Sequence, residues 1–267
     1  MALWRLHYSP LPPSLLLKVV LTPALIATAT LVGRRWGETM SGWLVGLPLT
    51  SAPVVFFLAL DHGTTFATTA SLAVLLGTIS QAAFAIAYAR VAVRNDWLPA
   101  AVTGSLTFAL ATIAFQQVTL SAWPAYGAVI ASLVIGILFM RRREGPVSAR
   151  AVAPDWDLPV RMVLATGLVL LLTGIAPRIG AHLSGLLSPF PVYAGVLAIF
   201  AHRQDGGAAA NKVLRGLLLG LFAFASFFLV LALALDRLGI GLSFALATLL
   251  ALSVQGATLV TVRALER

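Results

Sequence analysis

The chain is a succession of apolar stretches, most about 20 residues long, separated by short segments that hold most of its charges. About 20 mostly apolar residues are needed for a helix to cross a bilayer. Soluble domains are roughly half apolar and about a quarter charged, whereas this chain is 60% hydrophobic and 10% charged. An ordinary soluble enzyme, a disordered chain and a fibrous repeat are therefore excluded. We expect an all-α integral membrane protein with nine spanning helices at residues 14–33, 41–60, 65–89, 98–118, 123–140, 160–177, 184–201, 209–235 and 240–262.

Two features decide how these stretches are divided. The region 98–140 is too long for one crossing, and Gln116, Gln117, Ser121 and Trp123-Pro124 predict a break in its middle. The first stretch has no small-residue cleavage site followed by a soluble domain, so we expect a retained helix and not a cleaved signal.

The basic residues predict the orientation of the chain. With the N-terminus outside and the C-terminus in the cytoplasm, fourteen of the eighteen Lys and Arg residues fall on the cytoplasmic side. Cytoplasmic segments of membrane proteins carry such an excess. If 98–140 were one crossing, the split would be twelve to six, so the charges favour nine helices.

The net charge of +9 does not require a nucleic-acid partner. The basic run Arg141–Arg143 fits an anchor at the end of the fifth helix, although a patch for nucleic acid or anionic lipid is an alternative. No aromatic residues are interleaved with it for base stacking. We expect membrane lipids as partners and no nucleic acid. The absence of cysteine excludes disulfides, thiolate metal sites and cysteine nucleophiles.

A shift of 143 positions aligns the first half of the chain with the second half without gaps. An odd number of crossings separates equivalent positions, so the halves are expected to enter the membrane in opposite directions. This predicts two inverted four-helix repeats, at 1–119 and 146–267, joined by a linker helix at 120–145. Inverted repeats recur in transporters, because two similar halves can expose a central site to each side in turn. The aligned pairs include Arg35/Arg178, Gly37/Gly180, Ser41/Ser184, Gly42/Gly185, Pro48/Pro191, Gly63/Gly206 and Gly77/Gly220.

Residues 161–200 and the later stretch KVLRGLLLGLFAFASFFLVLAL resemble the GlpM family of small bacterial inner-membrane proteins. The shared features are a basic residue at the start of helix 1 and a Gly-Leu-hydrophobic-x-x-Phe-Pro segment that opens helix 2. The segments SGWLVGLPLTSAP and WLPAAVTGSLTF of the first half are similar, except that Leu47 replaces the Phe before proline. The resemblance implies a bacterial inner-membrane location and no settled activity. The arrangement also resembles two-domain fluoride channels, whose motifs the chain lacks.

Proline and glycine interrupt two helices at equivalent positions, and discontinuous helices are the best pointer to a transport site. Proline frees a backbone carbonyl, and glycine allows close approach by a ligand or another backbone. The alternative is that these residues only kink helices for packing. The candidate substrate-binding residues are Gly46, Pro48, Thr50, Ser51, Ser188, Pro189, Pro191 and Tyr193.

Ionisable and amide side chains supply further candidates. Lys18, Arg161, Lys212 and Arg215 can act as gates that attract an anion, or can reach the headgroups and solvated ends. Gln81, Gln116, Gln117 and Gln255 can join helices or line a pore. All nine acidic residues lie at span ends or in loops, which disfavours a proton-driven exporter of cations. Asp61-His62, at the outer end of the second helix, and residues 202–205 can bind a metal or relay protons, but adjacent residues without further ligands favour solvated loops.

The sequence contains no nucleophile elbow and no cluster of His and acidic residues of the kind that an intramembrane enzyme needs. We therefore expect no catalytic activity, no cofactor and no metal. The predicted function is transport of a small neutral, anionic or lipid-like molecule. The alternative is an accessory or scaffold protein of an envelope polysaccharide or lipid system, which moves nothing itself.

Overall fold

The computed structural model describes residues 43–140 and 156–266, with isolated residues of the first apolar stretch at 16, 18–20, 22–24 and 27. The first predicted span thus lies largely outside the described residues, as does the basic run Arg141–Arg143. The count of nine crossings and the three predicted units therefore stay predictions.

Seven helical segments make up the described residues. After a short helical turn at 43–45, they are α1 (Ser51–His62), α2 (Thr64–Val91), α3 (Trp97–Phe115), α4 (Ala122–Phe139), α5 (Asp157–Leu187), α6 (Val192–Asp205) and α7 (Gly207–Glu266). The chain between α3 and α4 is non-helical at 116–121, where the sequence predicts a break. α5 and α7 each consist of two helices that meet at a kink, at Gly180 and at Gly239, and both glycines have a positive φ.

Two glycines determine where α1 and α6 end. Gly63 has φ 88° and Gly206 has φ 81°, and each lies between two helices. The Gly63 amide donates to the Ala59 carbonyl at 3.1 Å, and the Gly206 amide donates to the His202 carbonyl at 3.0 Å. Residues with a side chain rarely adopt this conformation, whereas glycine adopts it without steric cost. The chain therefore turns sharply at both points and starts a long helix.

The centre of the molecule is formed by α2 and the front part of α7, residues 207–238. These two helices run antiparallel. Thr65, at the start of α2, donates to the Asp236 carboxylate at 3.2 Å, and Gly207, at the start of α7, lies against the backbone of Ala92 just after α2. The largest fully buried side chains of the two helices are Leu75, Leu76, Tyr88, Leu214, Leu217, Leu218 and Phe228.

The outer helices present large apolar side chains on the molecular surface. Leu110 on α3 is 68% exposed, Leu138 on α4 is 74% exposed, and Leu249 on the rear part of α7 is 63% exposed. Water penalises such a surface, whereas lipid chains accommodate it. Five helices of the described residues are long and apolar enough to cross a bilayer. The chain is therefore all-α and membrane-embedded in the part that the structure describes.

Candidate functional site

Two interruptions of helical structure lie at the proline-containing segments. The first interruption covers residues 46–50, before α1. It contains short-range backbone hydrogen bonds, such as the one from Leu49 N to Leu47 O at 2.7 Å. The second covers residues 188–191, between α5 and α6, and contains the equivalent bond from Val192 N to Phe190 O at 2.8 Å. Both segments are largely buried. The predicted discontinuity of these two helices is thus present in the structure.

Helix lengths bear on the depth of the two interruptions if α1 and α6 end at the membrane surfaces. From its interruption, α1 runs 12 residues to His62 and α6 runs 14 residues to Asp205. At about 1.5 Å per residue these helices are about 20 Å long, which is about two thirds of a hydrocarbon core about 30 Å thick. Gly77 and Gly220 are each the fourteenth residue of their helix, α2 and α7, and each contacts an interruption.

The interruptions allow close backbone contact with the two central helices. A Cβ built on Gly220 would lie 2.7 Å from Gly46 Cα and would also meet the Trp43 carbonyl oxygen. A Cβ built on Gly77 would lie 2.7 Å from Pro189 Cγ and 2.8 Å from the Leu186 carbonyl oxygen. Gly46 and Pro189 are thus used in packing.

The two interruptions also contact each other. The Ser51 hydroxyl, on the first residue of α1, donates to the Ser188 carbonyl at 2.9 Å. Both serines are fully buried, and the Ser188 hydroxyl has no hydrogen-bond partner among the described residues. Tyr193 is buried and packs against Val45, and Thr50 is half-buried. The structure therefore brings together predicted site residues from the two halves of the sequence.

Several buried hydroxyls in the described helices bond to the backbone of their own helix, whereas those of Ser80, Thr112 and Ser243, like that of Ser188, have no partner among the described residues. Ser71 donates to the Ala67 carbonyl at 2.7 Å, Thr78 to Val74 at 3.0 Å, and Thr173 to Val169 at 2.7 Å. This bond is the usual way to satisfy a hydroxyl in a helix that water does not reach. Ser188 lies outside a helix and lacks such a partner. Burial of its hydroxyl therefore costs free energy that no hydrogen bond to the described residues offsets.

Gln255 satisfies a carbonyl group at the first interruption. Its side-chain amide donates to the Trp43 carbonyl at 2.9 Å, and the Trp43 indole donates to the Thr258 hydroxyl at 2.9 Å. Of the two roles open to Gln255, that of joining helices fits this contact. Gln116 and Gln117 are exposed in the turn after α3.

Ser80 and Gln81 follow Gly77 by about one turn of α2 and are buried. The Ser80 hydroxyl and the Gln81 side-chain oxygen have no partner among the described residues. Gln81 is four residues from Gly77 and so lies on the same face of α2, which is the face against Pro189. The sequence singles out Gln81 but not Ser80, because a lone serine in an apolar run carries no distinguishing signal.

The four proposed gating cations have different surroundings. Lys18 is buried, and its ammonium lies 2.6 Å from the Asp61 carboxylate and 5.3 Å from the Phe57 ring centre. Arg215 donates to the Met140 carbonyl at 3.4 Å, just after the last residue of α4. A cation at this position is stabilised by the negative end of the helix dipole. Lys212 is half-buried, and the side chain of Arg161 lies outside the described residues.

Asp61-His62 and residues 202–205 are helical and not loops, and of these six residues Asp61, His62, Arg203 and Gln204 are exposed, as expected. These residues are the last of α1 and α6. His202 is buried, and its Nδ1 lies 3.3 Å from the Tyr88 hydroxyl. Asp61 is paired with Lys18. Both partners are distant in sequence, which is why local patterns do not predict the contacts.

Among the described residues, no group of three or more His, Cys, Asp or Glu side chains is arranged to hold a metal ion. No protein-family model, curated protein or solved structure matches the chain. The resemblance to the GlpM family therefore has no support from these comparisons.

Proposed function

We propose that the protein is a transporter of a small neutral, anionic or lipid-like molecule, with its site where the two interrupted helices meet. The observation that carries this proposal is the Ser51–Ser188 contact. It joins two helix breaks and leaves a buried hydroxyl without a partner among the described residues. Discontinuous helices that meet near the midplane are where secondary transporters bind their substrates.

We further propose that the chain consists of two four-helix repeats of opposite orientation, joined by a linker helix that includes α4. The 143-residue shift maps Gly77 onto Gly220 and Gly46 onto Pro189. The contact between Gly46 and Gly220 thus has its counterpart in the contact between Pro189 and Gly77. An exchange of partners of this kind is expected for two copies related by a two-fold axis. The antiparallel course of α2 and α7 supports an axis in the membrane plane.

We propose nine crossings with the N-terminus outside and the C-terminus in the cytoplasm, an orientation that depends on the distribution of basic residues alone. The contacts between helix ends fit the assignment of these ends to two common sides. Residues assigned to the cytoplasmic face contact each other, as Arg90 does with Phe139 and Arg203 with Trp97. Those assigned to the outer face do likewise, as the Lys18–Asp61 pair illustrates. The proposed location in a bacterial inner membrane depends only on the GlpM-like segments.

The second candidate function is that of a scaffold that moves nothing. It is favoured by one observation, the close glycine contacts that pack both interruptions against α2 and α7. In a scaffold, the interruptions serve packing alone. In a carrier, the same contacts must separate and re-form as the site opens to each side.

Solute flux in proteoliposomes discriminates between the two functions. We expect the purified protein to release radiolabelled glycerol, chloride or nitrate from loaded vesicles faster than protein-free vesicles do. We also expect Ser51→Ala with Ser188→Ala to slow that release. Ser71→Ala is the matched control, because it removes a buried hydroxyl that is already bonded within α2. Release at the protein-free rate for all three solutes would contradict transport of these solutes and favour a scaffold.

A further inference from the structure

The end of α4 lies between two arginine side chains that come from the two central helices. The guanidinium of Arg90, in the last turn of α2, lies 5.5 Å from the centre of the Phe139 ring. Arg215, on α7, donates to the Met140 carbonyl at 3.4 Å. Phe139 is the last residue of α4 and Met140 follows it. Two cationic groups from different helices therefore flank one helix end.

The packing one turn earlier explains this arrangement. A Cβ built on Gly136 of α4 would lie 3.1 Å from Leu218 Cδ1 and 3.3 Å from Ile86 Cδ1, so α4 packs between α7 and α2 at this point. Because α2 and α7 run antiparallel, four residues onward from Ile86 and three residues back from Leu218 both lead towards the end of α4. These steps reach Arg90 and Arg215. An apolar layer of side chains is thus followed by a basic layer.

The outer face of α4 beside the basic layer is apolar and exposed. Ile135, Leu138 and Phe139 each expose at least half of their surface. On a helix long enough to cross a bilayer, such a face is covered by acyl chains. Arg90 is also exposed, whereas Arg215 is half-buried. Acyl chains and arginine side chains are therefore expected to meet where α4 ends.

The helices that form the basic layer bring no negative charge to it. Asp and Glu are absent from residues 62–95, 97–143 and 206–235, which include all of α2, all of α4 and residues 207–235 of α7. The first acidic residue of α7, Asp236, lies at the opposite end of α2, where it accepts the Thr65 hydroxyl. An anionic group at the end of α4 therefore meets two arginines without a competing carboxylate from these helices.

A phosphate group carried by a lipid fits both parts of this surface. A guanidinium binds phosphate through parallel N–H groups along its edge, while its flat face stacks on an aromatic ring. A phospholipid joins its phosphate to acyl chains, just as this surface joins a basic layer to an apolar face. Basic pockets between spanning helices bind anionic headgroups. A nucleic acid would match the two cations but not the exposed apolar side chains.

The repeat does not supply a second surface of this kind. The 143-residue shift maps Arg90 onto Leu233 and Arg215 onto Leu72, and α4 has no equivalent under the shift. Both cations are thus replaced by leucine in the other half. The basic layer therefore belongs to one face of the membrane only.

We propose that Arg90 and Arg215 bind the phosphate of an anionic phospholipid at the end of α4, with its acyl chains along Ile135 and Leu138. The bound lipid joins α4 to both central helices. This proposal requires only that the chain is membrane-embedded, and it is independent of transport and of which face is cytoplasmic. The run Arg141–Arg143 lies outside the described residues and is not part of the site.

Thermal unfolding of the purified protein tests the site. The protein is heated in neutral detergent with added phosphatidylglycerol, phosphatidylcholine or inorganic phosphate at constant ionic strength. A ligand that binds only the folded state raises the unfolding midpoint. We expect phosphatidylglycerol to raise the midpoint more than phosphatidylcholine, whose choline neutralises the phosphate charge. Inorganic phosphate lacks acyl chains and should have little effect.

Arginine variants show whether the effect depends on this site. Arg90→Gln and Arg215→Gln should each weaken the apparent affinity for phosphatidylglycerol about tenfold, because each removes a charge-assisted hydrogen bond. Arg237→Gln is the matched control, since it removes the same charge from an exposed position at the opposite end of α2 and should retain wild-type affinity. If Arg215→Gln does not fold, Arg90→Gln, at an exposed position, tests the same site.

Equal midpoints with the two lipids would overturn the proposal. So would an unchanged affinity in Arg90→Gln, or an equal loss in Arg90→Gln and Arg237→Gln, which would indicate general attraction between a basic protein and anionic lipid. A rise with inorganic phosphate, or with a short DNA duplex, as large as that with phosphatidylglycerol would show that the site does not require a lipid.

Discussion

Gly46 and Gly220 meet backbone to backbone, one at a helix interruption and the other at the middle of a central helix. Pro189 and Gly77 are the equivalent pair with the roles of the two halves exchanged, and there a Cβ on Gly77 would meet the Pro189 ring and the Leu186 carbonyl oxygen. A Cβ at Gly220 or Gly77 would overlap the opposite segment, so glycine is needed at both positions for close approach. This pair of contacts links the interruptions to the buried centre of the protein.

The first prediction concerns Gly220→Ala. The added methyl group would meet the Trp43 carbonyl and the Gly46 backbone, which cannot move aside like a flexible side chain. Overpacking of this kind costs about 3 kcal/mol of unfolding free energy. Thermal or denaturant unfolding in detergent measures the change. Gly256→Ala is the matched control on the same helix, because nothing lies within 4 Å of its Cβ position. An equal effect in both variants would contradict the tight contact.

The second prediction concerns the prolines of the interruptions. Pro48→Ala and Pro191→Ala restore a backbone N–H group and weaken the reason for the helix to break. We expect each variant to insert into the membrane at wild-type level but to transport solute more slowly in proteoliposomes. Pro177→Ala is the control, because Pro177 lies within α5 and outside both interruptions. Unchanged flux in both interruption variants would contradict a transport site at the helix interruptions.

The third prediction concerns Gln255→Leu. This change leaves the buried Trp43 carbonyl without its side-chain donor. The carbonyl still accepts the Gly46 N–H at 3.2 Å, so the change removes one of its two hydrogen bonds and costs about 1 kcal/mol, and the unfolding midpoint should fall. Gln117→Leu, in the exposed turn after α3, is the control and should leave the midpoint nearly unchanged. If Gln255→Leu were as stable as wild type, the role of Gln255 in joining the helices would be refuted.

The fourth prediction concerns Asp61→Asn. This change leaves the buried Lys18 ammonium without its counter-charge, which lies 2.6 Å away in the wild type. Breaking a fully buried pair costs about 3–5 kcal/mol, and we expect about 2 kcal/mol here because the Asp61 side chain is 26% exposed. The double variant Lys18→Met with Asp61→Asn should recover part of the loss. Additive destabilisation in the double variant would show that the two charges do not stabilise each other.

Helix positions follow from the sequence because they depend on local patterns. The apolar run 65–89 and the helix Thr64–Val91 nearly coincide, since lipid selects long apolar stretches directly. The interruptions at Pro48 and Pro191 are predictable for the same reason, because a missing N–H group is a property of the residue itself. The hydroxyls next to them, including Ser51 and Ser188, are therefore found as candidates.

Contacts between distant residues do not follow from local patterns. The pairing of Lys18 with Asp61 depends on how the first stretch packs beside α1, and the contact of His202 with Tyr88 depends on how α6 packs beside α2. The close packing of Gly46 against Gly220 likewise becomes apparent only when the positions of both segments are known. Hydropathy carries no information on which helix faces which, since lipid-facing and buried surfaces are equally apolar.

The most direct test of the account is whether two equivalent positions lie on opposite faces of the membrane. His62 and Asp205 are related by the 143-residue shift and are the last residues of α1 and α6. Because the chain has no cysteine, His62→Cys and Asp205→Cys each introduce a single thiol for labelling by an impermeant maleimide in intact cells. We predict that the thiol of His62→Cys is labelled from outside, and that the thiol of Asp205→Cys is labelled only after permeabilisation. Labelling of both thiols from the same face would contradict the opposite orientation of the two halves.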